Sequence, residues 1–120
     1  MQYRRMDHLD RCRLEQALEI VRAAKRCGAD AIKLQTYTPD TITLKCDDED
    51  FRLPSDNPWS GYTTLYDLYA QAYTPWEWHK PIFEEAKRLG IDIFSSPFDE
   101  TAVDFLEALN VPAYKIASPE

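Results

Sequence analysis

Three glycines, three cysteines, two methionines and two histidines are all that this 120-residue sequence holds of those residue types. Cys12, Cys27 and Cys46 are odd in number and spaced as neither a redox CxxC nor a zinc pattern, so they read as reduced thiols. No apolar run reaches the ~18 residues of a membrane span. The start, Met1 to Met6, lacks the apolar stretch of a signal peptide, which predicts a cytoplasmic protein. Positive charge is short as well. Fourteen Lys and Arg stand against 21 Asp and Glu, and the net charge of −7 argues against nucleic acid and anionic membranes as partners. With 44% apolar and 29% charged residues, the composition is that of one globular domain. A chain of this length can bury roughly two thirds of its unfolded surface without disulfide support.

Apolar residues recur with a helix period in three places. Leu14, Ala17, Leu18, Val21 and Ala24 precede Gly28, which predicts an amphipathic helix from about Arg13 to Cys27 with a left-handed residue after it. Ala29 to Thr36 is short and apolar at its centre, as a buried parallel strand is, with Pro39 closing it. From Asp40 to Tyr73, charge, Pro54, Pro58 and Gly61 interrupt any period, although Thr63 to Tyr69 fits a short helix. Connections this long are usually functional or mobile. Thr74-Pro75-Trp76-Glu77 then offers an N-cap, a first-turn proline and a capping-box glutamate. The helix it opens carries Trp78, Ile82, Ala86 and Leu89 on one face and ends at Gly90, with Pro81 inside it for no reason legible in the sequence. Ile91 to Ser96 reads as a second strand stopped by Pro97. Asp99 caps a third helix with Ala102, Phe105, Leu106 and Leu109 on its face, and Val111 to Ser118 reads as a third strand.

An internal repeat supports this order. Ala24-Lys-Arg-Cys-Gly-Ala-Asp30 echoes Ala86-Lys-Arg-Leu-Gly-Ile-Asp92, each ending a helix and opening a strand. Helices alternating with strands, and no hairpin signal, predict an α/β fold whose three parallel strands are joined by right-handed crossovers. A doubly wound sheet and a (β/α)8 barrel both fit. Three strands complete neither, because both outer strands would show unpaired backbone, and a barrel needs about 250 residues. The expectation is an incomplete domain.

Polar residues in covered parallel strands carry the most information, and they are Lys33, Gln35, Ser95, Ser96, Lys115 and Ser118, gathered at strand C-terminal ends. Counted from the helix-ending residues Gly28, Gly90 and Asn110, the fifth positions are Lys33, Ser95 and Lys115. A buried lysine needs an anion beside it, and two near hydroxyls suggest a phosphate or carboxylate ligand. The competing reading has each lysine snorkel from an edge or pair with a carboxylate such as Asp30. The serines could equally satisfy loop backbone before Pro97. Trp59, Tyr62, Tyr66, Tyr69, Tyr73, Trp76 and Trp78 could line a sugar site, although packing beneath a loop is the commoner role of such a cluster. His8 and His79 are too isolated for a metal site, and His79 beside Trp78 reads as a surface or packing residue. Asp47 to Asp50 reads as a solvated acidic run.

Four strings together resemble a known family. Gly28 to Tyr37 (GADAIKLQTY), Tyr73 to Trp78 (YTPWEW), Ile93 to Phe98 (IFSSPF) and Val111 to Ser118 (VPAYKIAS) are similar to sialic acid synthases, in particular their pseudaminic acid branch. The likeness runs from about Leu14 to Glu120. It implies a (β/α)8 (TIM) barrel followed by a small antifreeze-like domain, with residues 1–120 as a single partial barrel domain and residues 1–12 atypical. The implied reaction joins phosphoenolpyruvate to a 2,4-diacetamido-trideoxy hexose, making pseudaminic acid and phosphate; the alternative substrate is N-acetylmannosamine, giving N-acetylneuraminate. Carried over by motif, Lys33 and Lys115 would hold the phosphoenolpyruvate anion, Ser96 and Ser118 would donate hydroxyl hydrogen bonds, and the catalytic candidate Glu120 would face the substrate. The resemblance also implies a divalent metal, Mg or Mn, with its ligands outside this chain, and a homodimer for the full-length enzyme. Where the family's first strand carries an acidic residue and an Asn-His pair, Met1 to Cys12 offers only Asp7-His8, and Pro119 departs from the pattern. The missing first-strand acid, metal site and half barrel predict that the segment alone does not turn over. The reading from a different class is a non-catalytic interaction fragment whose sheet edges pair with another chain.

Overall fold

The computed structural model describes residues 8–59 and 61–118. The first apolar stripe forms helix α1 (His8–Arg26), which begins before the expected Arg13. Its end is set by Gly28 at φ 83°, where the Ala29 N–H donates to the Ala24 carbonyl at 3.0 Å. The second copy of the repeat builds the same turn. Helix α4 (Trp76–Leu89) stops at Gly90, φ 68°, and the Ile91 N–H donates to the Ala86 carbonyl at 3.0 Å. In each case glycine takes the left-handed conformation at little steric cost and the following amide closes the last carbonyls. Asn110, the third helix-ending residue, also lies there at φ 54°.

Strands β1 (Ala31–Thr36) and β2 (Asp92–Pro97) pair in parallel, with Lys33 opposite Phe94, Leu34 opposite Ser95 and Gln35 opposite Ser96. Alternation sends Ile32, Leu34, Thr36, Ile93 and Ser95 to one face and Lys33, Gln35, Phe94 and Ser96 to the other. On the first face α1 and α4 pack over a core of Val21, Ile82, Ala86, Ile91 and Ile93, flanked by Leu14, Leu18, Ile32, Leu34 and Leu89. Arg22 on α1 joins Glu85 on α4 at 2.8 Å, and Arg88 holds the same carboxylate at 2.6 Å. These two guanidinium groups, Arg88 first, pull the Glu85 carboxyl down to about 2. Helix α5 (Glu100–Ala108) packs on β2 through the fully buried Ala102 and Leu106. As expected, Asp99 caps it, accepting from the Thr101 and Ala102 N–H groups.

The sequence expectation is corrected in three places. Among the described residues there are two strands, not three: Val111 to Ser118 makes a single parallel bridge, Tyr114 to Ser95. That segment has one neighbour only, its Pro112 offers no N–H, and Tyr114 to Ile116 are exposed, so nothing sustains a longer ladder. Pro39 does not close β1, which ends at Thr36; it opens the short helix α2 (Pro39–Ile42), with Thr38 at the N-cap position. Thr74 does not cap α4. Pro75 occupies that position and makes no side-chain cap bond, so the Thr74–Glu77 capping box does not form.

The long connection holds α2, a 3₁₀ turn at Glu49–Phe51 and helix α3 (Leu65–Ala72), capped by Thr64 accepting from the Asp67 N–H. Tyr66 on α3 donates to Asp40 on α2 at 3.0 Å, tying the two together beside the end of β1. Among the described residues no helix is long and apolar enough to cross a membrane.

Candidate functional site

The site grows from the open face of the two strands. Lys33, Gln35 and Tyr37 follow one another at every second position along and just past β1, and Ser96 and Phe98 do the same on β2. They line a cavity of about 490 Å³ with Lys115, Ala117 and Ser118 from the segment after α5, and Ile42 and Tyr69 from the long connection. Four of the five expected site residues, Lys33, Ser96, Lys115 and Ser118, therefore meet in one space; Glu120 and its neighbour Pro119 lie outside the described residues.

Among the described residues, the two charged groups on this wall are both ammoniums, in a chain of net charge −7. Neither lysine forms an ion pair with a carboxylate among the described residues, so the Asp30 pairing weighed from sequence is not made. The lysines are also exposed rather than buried, opening onto the cavity. Lys115 Nζ donates to the Ile116 carbonyl at 3.0 Å, while its backbone N–H donates to the Ser95 carbonyl at 3.1 Å, which sets where the segment lies. Ser96 is 2% exposed. Burial, with a smaller contribution from Tyr69, raises the Tyr37 phenol above its ordinary range and keeps it a neutral donor. Its ring meets Tyr69 and Phe98 edge-on, each at 5.6 Å, and Trp76 Nε1 donates to its carbonyl at 3.0 Å.

Two expectations change here. Counting from the helix ends puts Ser95 beside Lys33, yet the register puts Phe94 there and turns Ser95 to the helix-covered face. The count fails because Gly28 and Gly90 lead into the strands with the same turn but the register aligns Ala31 with Asp92. For His79, the two expected roles narrow to packing: it is fully buried and bonded to Thr36 at 2.9 Å. Of the aromatic group, Tyr69 alone reaches the cavity, Trp76 stacks on Phe105 at 4.8 Å, and Trp59 is 55% exposed. Tyr37 and Phe98 were given no role from sequence, although two-residue alternation from Lys33 and Ser96 points to both. Among the described residues no three His, Cys, Asp or Glu side chains converge as a metal site would require. The described residues do not by themselves fit a metal.

Comparison with known proteins gives this wall a context. The model of the NeuB family matches residues 20–120. The chain belongs to the NeuB family. Pseudaminic acid synthase of Campylobacter jejuni subsp. jejuni serotype O:2 is 53% identical over 107 residues, covering 89% of this chain and 31% of that protein. Pseudaminic acid synthase of Helicobacter pylori is 48% identical over the same shares. N,N'-diacetyllegionaminic acid synthase of Legionella pneumophila is 38% identical, over 89% of this chain and 30% of that enzyme. The chain thus spans about a third of the length of these NeuB relatives. The resemblance carried by four short strings holds across most of the sequence.

Proposed function

We propose that this chain supplies part of the phosphoenolpyruvate-binding wall of a pseudaminic acid synthase. The observation that carries the reading is the meeting of Lys33, Lys115, Ser96 and Ser118 in one cavity whose charged groups, among the described residues, are both cationic. Phosphoenolpyruvate is a small, highly charged anion with a phosphate and a carboxylate, and two ammoniums flanked by hydroxyl donors complement it. The two strands then form part of a (β/α)8 barrel with the cavity face inside, and strand C-terminal ends are where such barrels place their chemistry.

In the reaction, C3 of phosphoenolpyruvate forms a bond to the aldehyde carbon of the open-chain sugar, and the aldehyde oxygen takes up a proton. Water adds to the cationic C2 and loses a proton, and the C2–O bond to phosphate breaks, leaving the 2-keto acid and inorganic phosphate. Lys33 and Lys115 hold the phosphate and carboxylate as charge shifts, Ser96 and Ser118 orient them, and Glu120 is the catalytic candidate. A divalent metal, Mg or Mn, would be held by residues outside this set and would supply polarisation of the aldehyde. The sugar is a 2,4-diacetamido-trideoxy hexose; identities of 48–53% to pseudaminic acid synthases, against 30% to the mouse N-acetylneuraminate-9-phosphate synthase, favour it over N-acetylmannosamine. The complete enzyme works in the cytoplasm as a homodimer.

Titration with phosphoenolpyruvate, followed by tryptophan fluorescence, tests the reading. Lys33→Ala and Lys115→Ala should each weaken binding at least about tenfold, the loss expected when one partner of a charged contact is removed. Parental affinity in both folded variants would refute it.

A further inference from the structure

Behind the cavity, on the helix-covered face of the same strands, lies a polar cluster that the reaction above does not use. Thr36, His79 and Ser95 are each 0% exposed. Thr36 Oγ1 stands 2.7 Å from Ser95 Oγ and 2.9 Å from His79 Nε2, and His79 Nδ1 stands 3.3 Å from the Pro75 carbonyl oxygen. The imidazole is walled by Phe105 at 5.2 Å, edge-on, and Phe83 at 6.5 Å, stacked. The groups that meet it from β1, α4 and α5 are thus a hydroxyl, the Pro75 and Trp76 backbone and two phenyl rings, none of them charged.

The protons in this cluster have one consistent arrangement. A carbonyl can only accept, so Nδ1 carries the hydrogen. Burial disfavours the imidazolium, and a neutral ring has one N–H, so Nε2 accepts from the Thr36 hydroxyl. Thr36 has then given its only proton and must accept from Ser95. The chain runs from Ser95 to Thr36 to His79 to the α4 backbone.

Its position gives the chain a consequence. Thr36 lies between Gln35 and Tyr37, and Ser95 precedes Ser96; those three neighbours line the cavity. The Ser95 carbonyl also receives the Lys115 N–H at 3.1 Å. A one-residue slip between strands would turn every side chain to the opposite face and leave the buried hydroxyls unpaired. We propose that His79 is a positioning residue: through Thr36 and Ser95 it pins the strand ends, and with them the Lys115 segment, so that the cavity's donors stand in place before a ligand arrives. Only the ligand-binding arm of the test rests on the phosphoenolpyruvate reading.

The test compares Thr36→Val, His79→Phe and His79→Gln in the full chain. The first two keep volume and remove the hydroxyl or the acceptor; the third keeps a polar amide near the Nε2 position. Amide hydrogen exchange at Lys115 should quicken about tenfold in Thr36→Val and His79→Phe, the scale of one unpaired buried group, while the Ile91 amide keeps its parental rate. Phosphoenolpyruvate binding should weaken in parallel, and His79→Gln should restore both in part. Should the single variants fail to fold, the triple variant Thr36→Val, Ser95→Ala, His79→Phe has no unpaired polar group and decides the matter, with rapid exchange at Lys115 expected. Parental exchange at Lys115 in these folded variants, or an imidazole nitrogen spectrum with the proton on Nε2, would overturn the proposal. A parent chain that ignores phosphoenolpyruvate while Lys115 exchange still responds to the variants would sink the ligand reading and leave this one standing.

Discussion

Ser95 and Ser96 are neighbours in the chain and nearly equal in burial, at 0% and 2% exposed, yet they live in different chemical worlds. Ser95 faces the helices, where its hydroxyl bonds to Thr36 within a buried network. Ser96 faces a cavity that also holds two lysines. The difference follows from strand alternation alone. Under the helices a polar group must find a protein partner, because leaving one unpaired costs about 1–3 kcal/mol. On the cavity side, donors can be left for a ligand to satisfy. Which face a polar strand residue occupies thus says more about its role than how deeply it is buried.

Substitutions on the two faces should separate these roles. The largest stability loss belongs to the helix-covered side: Ile82→Ala, at a site 1% exposed, should destabilise the fold by about 2–5 kcal/mol in urea unfolding, through lost transfer energy and the cavity it leaves. The next effect comes from His79, whose burial pushes its titration from 6.5 down to about 4. A depressed imidazole binds its proton more weakly when folded, so the unfolded state takes up protons first. Stability should therefore be full above about pH 6.5 and fall by roughly 3 kcal/mol as pH drops toward 4. His79→Phe should abolish that slope while leaving the separate loss between pH 4.5 and about 2, where the unfolded Glu85 carboxyl binds a proton that the folded one still refuses. The smallest change in stability belongs to the cavity face. Lys33→Ala should shift unfolding by less than about 0.5 kcal/mol, as exposed substitutions do, while ligand affinity falls. A large stability loss there would mean that the lysine is part of the scaffold after all.

Much of this contrast is legible in the sequence. The helix-ending turns were written in a repeated string, and glycine's conformational freedom made both turns readable as local chemistry. Two of the three expected strands follow from their apolar centres, and five of the six polar residues at the expected strand ends, all but Ser95, share a cavity. What escaped was whatever depended on one element meeting another. Strand pairing decides which serine faces Lys33, and no count along the chain contains it. His79 looked isolated because its partners, Thr36 and Ser95, come from two other elements. The ladder expected after Val111 needed a neighbour on its far side, which propensity does not report. Thr74 had every local feature of a cap, yet the chain turns into α4 one residue later.

The repeated string has a further meaning. Because both helices deliver the chain to the start of parallel strands, α1 and α4 run in the same direction and their carbonyl-rich, electronegative poles lie side by side. Each copy places Lys-Arg in the last turn of its helix, and Lys25 of the first reaches across to the Gly90 carbonyl that ends the second, at 2.9 Å. An architecture made by stacking like poles repels itself at its base, and this sequence answers with cations from one unit that neutralise the next.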